Sequence, residues 1–360
     1  MKILSLGLDN SILNKASALA GRTIEYGDLV EKYIVIAPSQ KNENIELSEK
    51  VKVYGSGGNN KSAQFIKIYN LARKLLREEK YDIITVQDQY YLALIGLYLA
   101  KKFKIGLEIQ VHGFEKYYGL RKLMAKYVLP RANAVRVVSQ RLKNRMINEF
   151  KVKEEKITVV PIHVDTSNLS PLQRGIKAVN LIFFTAGRLV PVKNIGLQIE
   201  AMAEVVKKYP NTELWIIGDG SERAKLEKLS CELRVTSYVK FFGFQKDVRS
   251  YYNQTDVFLL TSNSEGWGMV VIEAAGFGLP IIMTDVGCAG EVIKDGESGV
   301  IIPIGNKQKL VEAMLKIIED ENLRKKLSVN AKSAVSRLPS KGEILELYKK
   351  SWLKAVDGRK

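Results

Sequence analysis

The sequence predicts an α/β protein with two doubly wound parallel sheets, and three observations lead there. Short β-type runs alternate with helical patterns in both halves of the chain. Most of those runs are continuously apolar instead of alternating, as strands covered on both faces must be. At 360 residues the chain has room for two hydrophobic cores and is too long for most single ones.

Each element follows in order. The first half offers KILSLGL at 2–8, KYIVIAP at 32–38, DIITVQD at 82–88, IGLEIQVHG at 105–113 and AVRVVS at 134–139, punctuated by helical segments around 61–80 and 90–102. The segment VVPIHVDTSNLSP at 159–171 ends in Ser/Asn/Pro turn chemistry and reads as a linker. The second half offers NLIFFTAG, TELWIIGDG, VKFFGF, VFLLTS, PIIMTD and GVIIPI, then a long helical stretch at 305–338 and a last helix, EILELYKKSWLKAV. The expected domains are 1–170, 171–340, and a terminal helix within 341–360 that crosses back to the first domain.

Composition narrows the function classes. An apolar content of 46% indicates a globular, ordered protein. Asp9 and Asn10 cut MKILSLGL short of a signal peptide's apolar region. LALIGLYLA at 92–100 falls well short of the ~20 residues of a membrane span. Cys231 and Cys288 lack any C-x-x-C or histidine partner, which suits a reducing compartment, and a cytoplasmic location is expected. The net charge of +17 lies mostly in residues 1–170, with 28 basic against 17 acidic residues. Within 101–150 there are 12 basic and 3 acidic residues, and RKLMAKYVLPR interleaves cations with leucines and aromatics. Such a surface attracts anionic lipid, polyanionic glycan or nucleic acid, or is simply a solvated basic face.

Two stretches carry chemistry. SNSEGWGMVVIEAAG at 262–276 follows an apolar run and opens a helical pattern, with Glu265 and Glu273 on either side of a Gly-Trp-Gly turn. If Gly266, Trp267, Gly268 and Met269 form the first helical turn, their amides point outward and favour an anion. Glu265 then sits at the helix mouth and Glu273 about two turns in; by spacing alone a capping carboxylate and an ordinary helix glutamate are the commoner reading. FFTAGRLVPVKN at 183–194 places Gly187, Arg188 and Lys193 after a strand, a donor fork and a point charge suited to a diphosphate, although basic residues at strand ends are common. There is no nucleophile elbow, no zinc-ligand spacing and no P-loop.

Together, GRLVPVKN, WIIGDGSE and the run from VKFFGF to GVIIP resemble the C-terminal domain of glycosyltransferase family 4, retaining nucleotide-sugar-dependent enzymes of the GT-B fold. The resemblance includes the E-x7-E pair, and VVPIHVDTSNLSP looks like the family's interdomain segment. It implies two Rossmann-like domains facing a central cleft, with the acceptor on the first and the donor on the second. It also assigns roles: Arg188 and Lys193 to the diphosphate, Glu273 to the ribose, Glu265 to the sugar hydroxyls, and Gly266, Trp267, Gly268, Met269 and Val270 to backbone contacts. Gly218 belongs to the same donor site, and Gly243 and Phe244 lie by the nucleobase. His112 matches the family's histidine facing the transferred sugar, with Gly113 where an aspartate is commoner. SLGLDNS keeps one glycine, Gly7, of the family's Gly-Gly loop, and His163 stands where glycine is usual and reads as structural.

The expected reaction is transfer of a hexosyl unit from a UDP- or GDP-sugar to a hydroxyl of a glycan or lipid-linked acceptor, with retention and without metal or other cofactor. Cations and helix amides would stabilise the departing diphosphate. The basic 101–150 region suggests an anionic membrane surface and an envelope-glycan or glycolipid product. A sugar-nucleotide epimerase or hydrolase of the same fold is the main alternative. A glycoside hydrolase would not need the Arg/Lys pair. A nucleic-acid partner is not expected, since charge without a recognised motif is weak evidence.

Overall fold

The computed structural model describes residues 1–113, 119–165 and 181–359. Part of the expected linker, 166–171, and residues 114–118 after His112 lie outside them. The chain divides into two compact units: unit 1, Met1–His112 with the later segment through Pro161 and Pro339–Lys360, and unit 2, Ile162–Leu338.

Unit 1 runs β1 (Lys2–Leu6), α1 (Ala18–Asp28), β2 (Lys32–Ala37), β3 (Asn42–Ser48), β4 (Val51–Ser56), α2 (Lys61–Glu78), β5 (Ile83–Val86), α3 (Tyr91–Phe103), β6 (Gly106–Val111), α4 (Gly119–Val128), β7 (Ala134–Val137), α5 (Gln140–Asn148) and β8 (Ile157–Val159). The sheet order is β3-β4-β2-β1-β5-β6-β7-β8. The five apolar runs are five of these strands, buried on both faces. β3 and β4 were not among the expected strands. β3, NENIELS, is largely exposed and pairs antiparallel with β4 at the sheet edge. An edge strand needs one partner and little burial, so its polar sequence gave no periodic apolar signal. β8 falls at the start of the expected linker.

Unit 2 runs β9 (Ile182–Ala186), α6 (Gly196–Lys208), β10 (Glu213–Ile217), α7 (Arg223–Glu232), β11 (Val239–Gly243), α8 (Arg249–Tyr252), β12 (Val257–Leu260), α9 (Met269–Gly276), β13 (Ile281–Thr284), β14 (Val300–Ile302), α10 (Lys307–Glu319) and α11 (Glu321–Ser336). Its sheet, β11-β10-β9-β12-β13-β14, is parallel throughout. Its core is an aliphatic layer, including Ile199, Leu214, Leu259, Ile282 and Met314, between sheet and helices.

The last helix, α12 (Lys341–Asp357), starts from a capping box in which Ser340 and Glu343 satisfy each other's backbone N–H. It belongs to unit 1 and packs on β6, β7 and β8. Trp352 and Ala355 are wholly buried there with Ile3, Val35 and Ile83. Contact is so close that a Cβ on Gly106 would lie 2.3 Å from the Ala355 carbonyl oxygen.

In each sheet the chain winds outward on one side of its first strand and then crosses to the other. β1 lies between β2 and β5, and β9 between β10 and β12. Connections leave these neighbouring strand ends in opposite directions, which opens a crevice at their carboxyl ends. The signature residues of unit 2 lie there.

Candidate active site

The loop after β9 carries Gly187, Arg188 and Lys193; the loop after β12 carries Ser262 to Gly268. Hydrogen bonds stitch the two loops together. The Asn263 N–H donates to the Val192 carbonyl at 2.7 Å, and the Thr261 hydroxyl donates to the Asn194 carbonyl at 3.0 Å. Gln198, wholly buried on α6, donates to the Thr261 hydroxyl at 2.9 Å. Lys193 and Glu265, far apart in sequence, are thereby brought into direct contact. Lys193 Nζ donates to Glu265 Oε1 at 2.5 Å, and the Ser262 hydroxyl reaches the same oxygen at 2.7 Å. The Arg188 side chain is exposed, with no hydrogen bond or ion pair to any described residue. The loop after β9 thus carries an unengaged guanidinium and a lysine held by one carboxylate.

α9 begins later than its sequence suggested. The helix starts at Met269, with Gly268 as its cap at φ 92°, so Gly266 and Trp267 lie in the loop and not in the first turn. The cause is Trp267: its indole is buried and its carbonyl accepts the Cys288 N–H at 2.9 Å, which holds the backbone out of helical geometry. Gly268 then turns the chain through a left-handed conformation open to glycine. No side chain caps α9, so the amides at Met269 and Val270 present the positive end of the helix. The Trp267 side chain is core.

Glu273 lies one helical face further in. Tyr252 donates its hydroxyl to Glu273 Oε2 at 2.8 Å and is itself boxed by Phe184, Phe258 and Phe277. Burial raises the Glu273 carboxyl above its usual range, opposed by the Tyr252 hydrogen bond and by Arg249. Burial and the neighbouring Glu273 charge raise the Tyr252 phenol. Tyr252 was missed in the sequence, because nothing in VRSYYNQ distinguishes it from Tyr251, whose ring instead meets Trp215 and Phe242.

The glycines shape the strand ends. The N–H groups of Gly187 and Gly218 are taken by Ile217 and Gly243 carbonyls, so they extend the sheet and offer no amide. Gly218 has φ 132°, and a Cβ there would stand 1.8 Å from the Gly187 oxygen. Gly243 turns at φ 68°, leaving the ring of Phe244 77% exposed. In unit 1, the Gly7 N–H is likewise occupied by the Ile36 carbonyl. His163 is exposed and not held in a core.

His112 follows β6 in unit 1 and is exposed. Its Nε2 lies 3.2 Å from Gln110 Oε1. Protein packed around the ring, together with Arg136 and Arg22, pushes its pKa down to about 4, so it is neutral at pH 7. Behind it Gln110, Thr85 and Glu108 form a buried polar string. By its flanking residues IGLEIQV reads as plain apolar strand. The clue was there: Glu108, Gln110 and His112 alternate at period two and share one face.

Comparison with known proteins identifies the family. Residues 171–334 match the family described as Glycosyl transferases group 1, and residues 9–168 match Glycosyltransferase Family 4. The chain is 30% identical over 270 residues to a capsular polysaccharide biosynthesis glycosyltransferase of Staphylococcus aureus, covering 71% of this chain and 70% of that one. It is 27% identical over 316 residues to the alpha-monoglucosyldiacylglycerol synthase of Acholeplasma laidlawii, covering 80% and 77% of the two chains. Among solved structures it superposes on a sucrose-phosphate synthase from Thermosynechococcus elongatus with a TM-score of 0.80, at 19% identity over 97% of this chain and 99% of that one. It also superposes on Anabaena HepE in complex with UDP and glucose with a TM-score of 0.76, at 21% identity over 97% and 98%. The chain therefore belongs to glycosyltransferase family 4 and is a glycosyltransferase of the GT-B fold.

Proposed function

We propose that this protein transfers a hexosyl unit from a UDP- or GDP-sugar to a hydroxyl of a glycan or lipid-linked acceptor, retaining anomeric configuration and using no metal. The observation that carries the reading is that the loop after β9, with Arg188 and Lys193, is bonded to the loop after β12, where Lys193 meets Glu265 shortly before the uncapped start of α9. Arg188, Lys193 and the amides of Met269 and Val270 bind the diphosphate. As the anomeric C–O bond breaks, negative charge grows on the leaving phosphate, and these fixed positive groups stabilise it without reorganising. Diphosphate competes with Glu265 for Lys193, which leaves Glu265 to accept hydrogen bonds from sugar hydroxyls. Glu273, short of solvent in its half-buried seat, accepts from the ribose diol. Gly243 and Phe244 border the nucleobase. The acceptor hydroxyl enters on the leaving-group face and gives its proton to the departing phosphate, which accounts for retention.

Names of relatives support the donor and product classes. HepE has been crystallised with UDP-glucose, and the Acholeplasma relative is named for a glucosyl diacylglycerol. In this chain α4 exposes Leu120, Leu123 and Tyr127 along one stripe, beside the exposed Lys126. That pattern suits shallow insertion into an anionic lipid surface bearing the acceptor. No described helix is long and apolar enough to cross a membrane.

The test is thermal unfolding with UDP, GDP and their hexose conjugates, followed by anomeric analysis of product. A nucleotide at about 100 times its Kd should stabilise the fold by about 2.7 kcal/mol. No stabilisation by either nucleotide, or inverted product, overturns the reading. Sugar nucleotide consumed equally without acceptor would favour an epimerase or hydrolase.

A further inference from the structure

We propose that Gln110, Thr85 and Glu108 form a one-way hydrogen-bond chain that sets the tautomer of His112, so that the imidazole meets substrate with Nδ1 as a hydrogen-bond acceptor. This rests on the reading of His112 as the group facing the transferred sugar, and it gives that residue a defined chemistry.

The direction of the chain follows from what each group can donate. Glu108 is wholly buried, with the Arg136 guanidinium beside it at 3.4 Å as countercharge and the Ser351 hydroxyl of α12 donating to its other side. A carboxylate accepts only. Thr85 Oγ1, 2.5 Å from Glu108 Oε2, must spend its single proton there. Thr85 Oγ1 can then only accept from Gln110 Nε2, at 2.8 Å. That contact fixes which way the Gln110 amide points, so its oxygen faces His112 Nε2 at 3.2 Å. An amide oxygen does not donate, and the ring proton must therefore sit on Nε2. Nδ1 is left with its lone pair. The low basicity of the ring keeps that lone pair available at neutral pH.

The fold supplies the alignment. Thr85 on β5 and Glu108 on β6 are paired partners in the parallel ladder. Gln110 and Glu108 point to the same face as His112, two and four residues before it. All three members of the chain are buried, so water does not scramble its order. Its far end is closed by Ser351, which makes α12 the anchor of a chain that ends at His112.

Gln110, Thr85 and Glu108 are thus positioning residues, acting through His112. The experiment is nitrogen-15 spectroscopy of the full-length protein with labelled histidine, in which His163 supplies the other ring and a His112→Ala variant assigns the signals. At pH 7 the His112 ring should show one tautomer, with a slowly exchanging proton on Nε2. Thr85→Val and Gln110→Leu should lose that proton signal and lower kcat roughly tenfold with donor KM little changed, the size seen when groups orienting a histidine are removed. Thr85→Ser, which keeps the hydroxyl, should restore both. A proton found on Nδ1 in the wild type, or unchanged ring signals in Thr85→Val and Gln110→Leu, would overturn the proposal whatever the activities. Normal turnover by His112→Ala, with ring signals behaving as stated in the other variants, would instead refute the sugar-facing reading and leave the chain intact.

Discussion

At Arg188 and Lys193 the proposed chemistry is borne by single charges. Arg188 has no described partner, so Arg188→Ala removes a diphosphate contact and little else. Lys193→Ala also strips Glu265 of its counter-ion. Each should lower kcat by about 10²-fold in steady-state assays, the usual cost of one preorganised charge contact; near-normal turnover in both would exclude diphosphate stabilisation by this pair. Tyr252→Phe takes away the hydrogen bond that partly offsets the burial of Glu273. Nucleotide affinity should weaken roughly ten- to hundredfold in calorimetry, in the range of a lost bond to a charged group. His112 bears on stability. Its folded pKa of about 4 lies below the ordinary value of 6.5, so between these pH values the unfolded chain binds a proton that the folded chain does not. Its contribution is fully present above pH 6.5 and declines as pH falls toward 4. His112→Asn should flatten the denaturation midpoint across that window, and an unchanged slope would count against it.

Among the elements, glycine contacts and helix faces decide what substitution does. Gly218→Ala would drive a methyl into the Gly187 carbonyl at a φ that L residues avoid, and both would have to move. Unit 2 should lose at least 1–3 kcal/mol in denaturant titration, with donor binding lost as well. On α4, Leu120→Asp with Leu123→Asp replaces exposed residues, so it should leave melting temperature unchanged while sharply reducing co-sedimentation with anionic vesicles. Binding indifferent to both the mutations and lipid charge would remove the membrane argument. Element type was legible wherever a strand was buried on both faces, as in VFLLTS and PIIMTD. The edge strand β3 was not, since exposure removed the apolar pattern on which the reading depended. The start of α9 was misplaced because burial of one indole outweighed the local preference of GWGMVVIEAAG.

For the whole molecule, chain order and spatial order part company at the C-terminus. α12 comes last yet completes the core of the first unit, with Trp352 and Ala355 wholly buried against its strands. Trp352→Ala should cost about 3–5 kcal/mol. Ending the chain after Leu338 would uncover that core and leave Glu108 without the Ser351 hydroxyl, so unit 1 should unfold or aggregate, as read by loss of its cooperative melting transition. A truncated chain melting like the intact one would contradict this assignment of α12.

Local sequence by itself determined the alternation of buried strands and helices, and with it the fold class, because continuous apolar runs admit few other arrangements. Resemblance of its motifs to the family marked Arg188, Lys193, Glu265 and Glu273 as a set. Tertiary structure alone decided that Lys193 lies against Glu265, that Tyr252 holds Glu273, and that Thr85, Glu108, Gln110 and Ser351 converge behind His112. Those contacts join residues from different strands and helices, and only the register of the sheets and the path of the last helix bring their polar atoms within hydrogen-bonding distance.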